Sequence, residues 1–195
     1  MPLLTTQSAR GYGFTRLSAS VANSFESIST VNVTGSSTTS ISFTSIPNTY
    51  KHLQIRILTR GTVAQTEMQI MTQLNNDTGS NYAYHGLRGD GSNPYSYGGN
   101  SVSNIYGMCR FSAASATTGN FGAGIIDILD YSSTSKNKTI RAISGTDNNG
   151  STGQIYFTSG LWLGTSAVSS IKFEVQDGGG FAINTSFALY GIKGA

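Results

Sequence analysis

The chain has 195 residues, of which 11% are charged and 37% hydrophobic, and its formal net charge is +3. This length suits one domain with a hydrophobic core plus a tail, and it excludes two full domains of ordinary size. Low charge combined with ten Tyr, nine Phe and one Trp argues against intrinsic disorder. Twelve dispersed cations are too few for a surface that neutralises several phosphates, so we expect no nucleic-acid partner.

Residues 1–24 form a polar segment with scattered apolar side chains at no fixed period. Such a segment cannot build a core of its own, so it predicts an extended arm that is either frayed or ordered by lying on a partner. Its candidate anchors are Leu3, Leu4, Arg10, Tyr12, Phe14 and Arg16. The arm precedes a second region, residues 25–195, with a different pattern.

The stretch 40–60 has the clearest alternation in the chain. Ile41 and Phe43 share one face of a first strand, a corner follows at 46–49, and a second strand places Leu53, Ile55 and Ile57 on one face. The alternate side chains should face water or a partner. They are His52, Gln54, Arg56 and Arg60, which we take as one wall of an assembly surface.

Further short alternating runs continue to the end of the chain, separated by turn-forming residues. They predict about ten strands and no helix, which is typical of an all-β antiparallel sandwich or barrel. The last predicted strand, 181–192, should point Phe181, Ile183, Phe187 and Leu189 inward. Cys109 is the sole cysteine, so no intrachain disulfide is available, and its alternating run predicts a buried thiol.

The segment 86–99 is rich in Gly, Pro and Asn, which predicts a long loop. Tyr95 and Tyr97 fall within it, and exposed tyrosines beside Ser, Gly and Asn make contact surfaces for sugars or proteins. The alternative is that these rings only fill half-buried positions.

Three stretches are apolar at both odd and even positions: 124–129, 155–157 and 161–163. A strand of this kind belongs either in the middle of a sheet that is covered on both sides or at a subunit contact.

Residues for catalysis or metal binding are sparse. The two histidines, His52 and His85, lack neighbouring ligands at a useful spacing, and Asp127 and Asp130 point to opposite faces of a strand. No Gly-x-Ser-x-Gly motif occurs. We therefore expect no enzymatic activity, no metal and no cofactor. No run of 18 apolar residues and no typical signal peptide is present, so we expect a soluble protein without a membrane partner.

Three pieces of the sequence carry a resemblance to a known class: the opening MPLLTTQSARGYGF, the central SIPNTYKHLQIRILTRG with NNDTGSNYAYHGLRGDG, and the ending FALYGIKGA. Together they resemble small virion proteins of tailed bacteriophages, particularly of cyanophage type. In that class the module is a capsid decoration (cement) protein or part of a tail fibre.

The resemblance implies a jelly-roll-like sandwich, a homotrimer and an arm that docks on neighbouring subunits. The partner would be the major capsid protein on the outer surface of the virion, after synthesis in the host cytoplasm. The alternative implied by the same resemblance is a tail-fibre or receptor-binding domain, in which Tyr95 and Tyr97 contact a host-surface glycan.

Overall fold

The computed structural model describes residues 24–35, 38–149, 153–176 and 178–194. Over these residues the chain forms twelve β-strands and no helix. The strands are β1 (Phe25–Asn32), β2 (Ser40–Phe43), β3 (His52–Thr59), β4 (Glu67–Leu74), β5 (Tyr82–Gly89), β6 (Pro94–Val102), β7 (Ile105–Ser112), β8 (Gly122–Leu129), β9 (Lys138–Thr146), β10 (Gln154–Trp162), β11 (Ile171–Val175) and β12 (Ser186–Ile192). The predicted all-β class is confirmed. The predicted arm lies outside the described residues, apart from Ser24.

The strands form two antiparallel sheets that share one hydrophobic core. The larger sheet has the order β1-β12-β3-β8-β9-β10-β5-β6, and the smaller has the order β2-β11-β4-β7. A jelly roll is usually built from eight strands, and the jelly-roll topology stays a prediction here. In the described residues no helix is long and apolar enough to cross a membrane.

The corner at 40–60 has the predicted arrangement. Ile41 and Phe43 are buried on β2, and Leu53, Ile55 and Ile57 are buried on β3, which lies in the opposite sheet. The corner between them is tied to the core because the Tyr131 hydroxyl donates to the Pro47 carbonyl. One turn therefore carries the chain from one layer of the sandwich to the other.

The predicted loop at 86–99 is wrong. The structure has a β-hairpin there, in which β5 and β6 pair and only residues 90–93 form the turn. The Asp90 carboxylate closes this turn by accepting bonds from the Ser92 and Asn93 amides, at 2.9 and 2.7 Å. Two of the glycines that favour a loop instead make room for tyrosine rings of the neighbouring strand.

Two glycines of this hairpin stand opposite tyrosine side chains. Gly86 pairs with Tyr97, and Gly99 pairs with Tyr84. A Cβ at Gly86 would overlap the Tyr97 ring, and a Cβ at Gly99 would lie 2.9 Å from a Tyr84 ring carbon. The rings thus occupy the space that the glycines of the neighbouring strand leave open, an arrangement that stabilises glycine in a sheet.

The last predicted strand begins later than expected, at Ser186. Asn184 has a φ of 71°, and the Thr185 amide donates to the Ala182 carbonyl, so residues 182–185 form a turn. Phe181, Phe187 and Leu189 are buried as predicted, whereas Ile183 lies on the turn and is 49% exposed. The inward assignment of Ile183 is therefore wrong.

Lys136, Lys138 and Arg141 are close in the sequence but do not form a basic patch. Lys138 is fully buried, and its ammonium donates to the carbonyls of Ser133, Lys136 and Thr165 at 2.9, 2.6 and 3.0 Å. Burial lowers the pKa of this ammonium. Lys138 therefore fastens the loop before β9 from inside the fold.

Candidate functional site

Two features outside the core are candidates for contact with a partner: the outer face of the large sheet and a pocket beneath the β5–β6 hairpin. On the outer face, cross-strand pairing aligns side chains from four strands. Ile125 pairs with Ile143, Ile143 with Phe157, and Phe157 with Leu87. These four side chains are between 37% and 59% exposed. The large sheet thus presents an apolar line to solvent.

A second row on the same face adds Leu58 on β3 and Ile155 on β10, which are 49% and 57% exposed. Between them the intervening pairs are small, Ala123 with Gly145, so the surface is hollow there. A depression of about 1060 Å³ lies over this hollow, with residues 119–121 along its margin. We call the six exposed side chains the outer apolar patch: Leu58, Leu87, Ile125, Ile143, Ile155 and Phe157.

The outer apolar patch bears on the two interpretations of the doubly apolar strands. Stretches 124–129 and 155–157 bury one row of side chains in the core and expose the other. Within the described residues no element covers the exposed row. A subunit or partner contact at this row stays a prediction.

A polar row borders the patch. Gln54 donates to Asp127 at 3.0 Å, and Arg141 donates to the other oxygen of the same carboxylate at 3.1 Å. Arg56 donates to the Gln54 side-chain oxygen at 3.2 Å, and its guanidinium lies 5.3 Å from the centre of the Phe25 ring. A rim of satisfied polar groups around an apolar centre is the usual composition of a protein interface.

His52 and Arg56 both lie on the outward side of β3, as predicted. The His52 Nδ1 accepts a bond from the Asp130 amide at 3.0 Å, which fixes the ring at the end of the strand. Ion pairs with Lys136 and Lys51 lower the pKa of Asp130 to about 2. Arg56 adjoins the outer apolar patch directly, because it pairs with Ile125.

Arg60 has a different role from the predicted one. Its guanidinium donates to four backbone carbonyls in the segment 114–120, at 2.8 to 3.1 Å. Five fixed donors suit this task, since they satisfy several carbonyls of an irregular segment at once. Arg60 therefore shapes the margin of the depression and does not point its charge at a partner.

Tyr95 and Tyr97 lie on β6, on the side of the hairpin that faces the smaller sheet. There they line a pocket of about 250 Å³, which we call the tyrosine pocket. Its other walls are Gln69, Tyr84, Arg88, Ser96, Tyr106, Arg110 and Tyr156. Because β3 and β6 are separated by four other strands in the sheet, the predicted contact residues belong to two distant surfaces.

The rings of this pocket are fixed from below. The Tyr97 hydroxyl bonds to Thr158 at 2.6 Å and donates to the Gly107 carbonyl at 3.3 Å. Gly107 has a φ of 61° and forms an irregularity in β7 that presents this carbonyl. Burial raises the pKa of Tyr97 and of Tyr156, so both phenols stay protonated at neutral pH.

An ion pair lies behind the pocket. Arg110 donates to Glu67 at 3.2 Å and places its guanidinium 5.3 Å from the centre of the Tyr156 ring. Burial raises the pKa of Glu67, while Arg110 acts in the opposite direction. In the part of the chain that the structure describes, Glu67 Oε1 and Arg110 Nε have no hydrogen-bond partner. Sequence reasoning missed this pair, and also Arg88 and Tyr156.

Groups for nucleophilic or metal chemistry do not converge at either surface. Cys109 is buried, and burial raises its pKa to about 12, so the thiol is not a nucleophile near neutral pH. Among the described residues no group of three or more His, Cys, Asp or Glu side chains could hold a metal ion.

Comparisons with family models, with curated proteins and with solved structures find no match for this chain. The roles assigned to its residues therefore rest on the geometry of the two surfaces. The predicted arm residues Leu3, Leu4, Arg10, Tyr12, Phe14 and Arg16 lie outside the described residues.

Proposed function

We propose that the protein is a non-enzymatic structural component of a virus particle, a capsid decoration protein that binds and stabilises the shell of the major capsid protein as a homotrimer. The sequence resemblance to tailed-phage virion proteins supports the viral setting. The observation that carries the assembly function is the outer apolar patch, six exposed large apolar side chains on one sheet face.

The size and rim of the patch favour a specific contact. Its main line crosses four strands from β8 to β5, and the flanking Arg56 extends it to β3, over about 19 Å. Contiguous apolar surface of this kind is uncommon on a monomer and marks interaction sites. Three copies of a flat sheet face close around a three-fold axis as the walls of a prism, which removes all three patches from water.

The arm supplies the second contact, to the capsid. One trimer carries three arms, and simultaneous attachment of three weak anchors gives an avidity far above that of one arm. The apolar and arginine side chains at positions 3–16 are the anchors in this proposal.

A capsid-binding experiment tests the function. Purified protein is mixed with expanded capsids of the virus that encodes it, and co-sedimentation measures occupancy. The full chain should bind, and deletion of residues 1–20 should leave a folded trimer that no longer binds. The control is Ile183→Thr, an exposed position outside the arm and the outer apolar patch. Failure of the full chain to bind, or unchanged occupancy after the deletion, contradicts the proposal.

A second candidate function is a tail-fibre or receptor-binding domain that recognises a host-surface glycan. The tyrosine pocket is the observation that favours it, because aromatic rings beside polar groups form sugar sites at a low cost in side-chain entropy. The location of the protein on the particle, capsid or tail, separates the two candidates.

A further inference from the structure

Arg88 forms no close ion pair in the described residues, although the more distant Glu67 carboxylate acts on it electrostatically. Arg88 lies on β5, with its guanidinium 4.3 Å from the centre of the Tyr95 ring, and it donates to the Tyr156 hydroxyl at 3.3 Å. None of the ion pairs among those residues includes it. Stacking on one ring and bonding to another holds the guanidinium plane in place at the wall of the pocket.

The cavity beside Arg88 is aromatic and small. The ring centres of Tyr84 and Tyr106 lie 6.1 Å apart, and those of Tyr97 and Tyr156 lie 6.2 Å apart. Pockets for drug-sized ligands span about 300 to 1,000 Å³, so a volume of about 250 Å³ admits one small ring and not a chain of several.

Hydrogen-bonding capacity remains at the walls. The Tyr84 and Tyr106 hydroxyls donate to no other described residue, and Tyr106 only accepts a long bond, 3.5 Å, from Gln69. The Tyr97 and Tyr156 hydroxyls are already engaged within the fold. A ligand with several hydroxyl groups would meet phenol and amide partners on one side of the cavity.

The charge of the site is net positive at its walls. Arg88 and Arg110 contribute two positive charges, and the carboxyl behind them, Glu67, forms its ion pair with Arg110 and acts on Arg88 at longer range. Asp90, on the adjoining turn, accepts bonds from the amides of Ser92 and Asn93, and its carboxylate also interacts with the Tyr95 hydroxyl. One guanidinium therefore remains for an anionic group of a ligand.

We propose that the tyrosine pocket binds a single acidic sugar residue, a uronic or sialic acid at the end of a glycan. The carboxylate pairs with Arg88, because a guanidinium and a carboxylate form two parallel charge-assisted hydrogen bonds. The apolar face of the sugar ring lies against Tyr95, and its hydroxyls bond to Tyr84, Tyr106 and Gln69.

The five phenol rings favour a sugar over the other carriers of negative charge. A free phosphate would use several cations and no aromatic face, and an acidic peptide side chain would leave the hydroxyl-bonding wall without a partner. This inference deepens the second candidate function and does not depend on capsid binding. A capsid decoration protein with this pocket would still bind the sugar. A negative result in the capsid-binding experiment therefore does not affect the sugar-binding experiment, and the reverse also holds.

The experiment uses the full chain and four probes: the methyl glycosides of glucuronic acid and N-acetylneuraminic acid, methyl glucoside as the neutral match, and acetate as a carboxylate without a ring. Saturation-transfer NMR and a chemical-shift titration measure binding. At least one acidic glycoside should bind with a Kd on the order of 1 mM, as expected for so small a ligand. Methyl glucoside and acetate should bind at least tenfold more weakly.

Substitutions in the pocket distinguish the contribution of the Arg88 charge to sugar binding from that of the Tyr95 ring. Arg88→Gln should weaken binding of the acidic sugar by about tenfold to a hundredfold, the range expected for loss of a charge-assisted pair. Tyr95→Ala should weaken it comparably, and Tyr95→Phe, which keeps the ring, should retain it. The matched control is Arg56→Gln, since Arg56 also stacks on aromatic rings but lies on the opposite surface.

Several results would overturn the inference. These are no binding of either acidic glycoside at ten times the expected Kd, equal binding of the neutral sugar, or equal binding of acetate. Unchanged affinity in Arg88→Gln would do the same, and thermal unfolding of each variant shows that the fold is retained.

Discussion

The buried Lys138 side chain satisfies backbone carbonyls that have no partner in regular secondary structure. The loop between β8 and β9 and the segment after β10 have carbonyls that no strand pairs, and the buried ammonium donates to three of them. Two belong to the loop itself, at Ser133 and Lys136, and the third, Thr165, follows β10. One polar atom therefore joins two connections that are distant in the sequence, and a buried polar group without such partners would be costly.

Replacing Lys138 tests this role. Lys138→Met keeps the length of the side chain but leaves three carbonyls without their donor, so we expect a loss of about 2 to 4 kcal/mol in the free energy of unfolding. Urea denaturation followed by the fluorescence of Trp162 measures it. Lys136→Met is the matched control, because the Lys136 ammonium forms an exposed ion pair with Asp130, and exposed pairs contribute little to stability. Equal effects of the two substitutions would rule out the structural role of Lys138.

At the scale of the element, the β5–β6 hairpin depends on cross-strand pairs of glycine and tyrosine. Because Gly86 has no side chain, the Tyr97 ring can lie across β5 and reach the Gly107 carbonyl on β7. The same geometry builds the wall of the tyrosine pocket. A substitution at Gly86 should consequently change both the stability of the hairpin and the shape of the pocket.

Gly86→Ala should displace the Tyr97 ring and cost about 1 to 3 kcal/mol, the usual effect of overpacking. Gly89→Ala is the control on the same strand, since the nearest atom to an added Cβ there is 3.9 Å away. It should change stability by less than about 0.5 kcal/mol. Thermal unfolding measures both, and hydrogen exchange should become faster in β6 of the Gly86 variant alone. Equal exchange in both variants would contradict the pairing model.

Strand periodicity was sufficient for much of the fold and failed in identifiable places. β3 and β4 are recognisable because one face is buried, so apolar residues recur at every second position. The β5–β6 hairpin is not recognisable from composition, because glycine is typical of loops and the sequence does not show which tyrosine lies opposite it on the next strand. The turn before β12 was missed because the positive φ of Asn184 has no strong signature in composition.

The candidate sites were less predictable than the strands because they depend on register. Tyr95 and Tyr97 could be proposed as contact residues from composition, whereas the cation that completes their pocket, Arg88, is specified only by the pairing of β5 with β6. The role of Arg60 rests on carbonyls 54 to 60 residues later in the chain. The outer apolar patch likewise exists only once four strands are aligned.

At the scale of the whole molecule, a substitution in the outer apolar patch tests the proposed trimer. In the proposed trimer each Ile143 is buried, and Ile143→Thr removes about 1 kcal/mol of apolar burial per copy. Three copies should lower the association constant roughly a hundredfold. Ile183→Thr is the matched control, because Ile183 is 49% exposed and Ile143 47%, but Ile183 lies outside the patch.

Sedimentation equilibrium over a dilution series measures this effect. The unmodified protein should have the mass of three chains, each 20.5 kDa, and the Ile143 variant should dissociate at a higher concentration than the Ile183 variant. A mass of one or two chains for the unmodified protein, or identical dissociation of the two variants, would contradict the trimer.

The pairing of β1 with β12 brings the two limits of the described domain together. The Lys193 amide donates to the Ser24 carbonyl at 3.0 Å, and Phe25 pairs with Ile192. A short linker could join these positions while new ends are opened at the exposed turn 90–93, so the domain is suited to circular permutation. Such a rearrangement would move the attachment point of the arm, or of any fused cargo, from one edge of the large sheet to the other without changing the hydrophobic core.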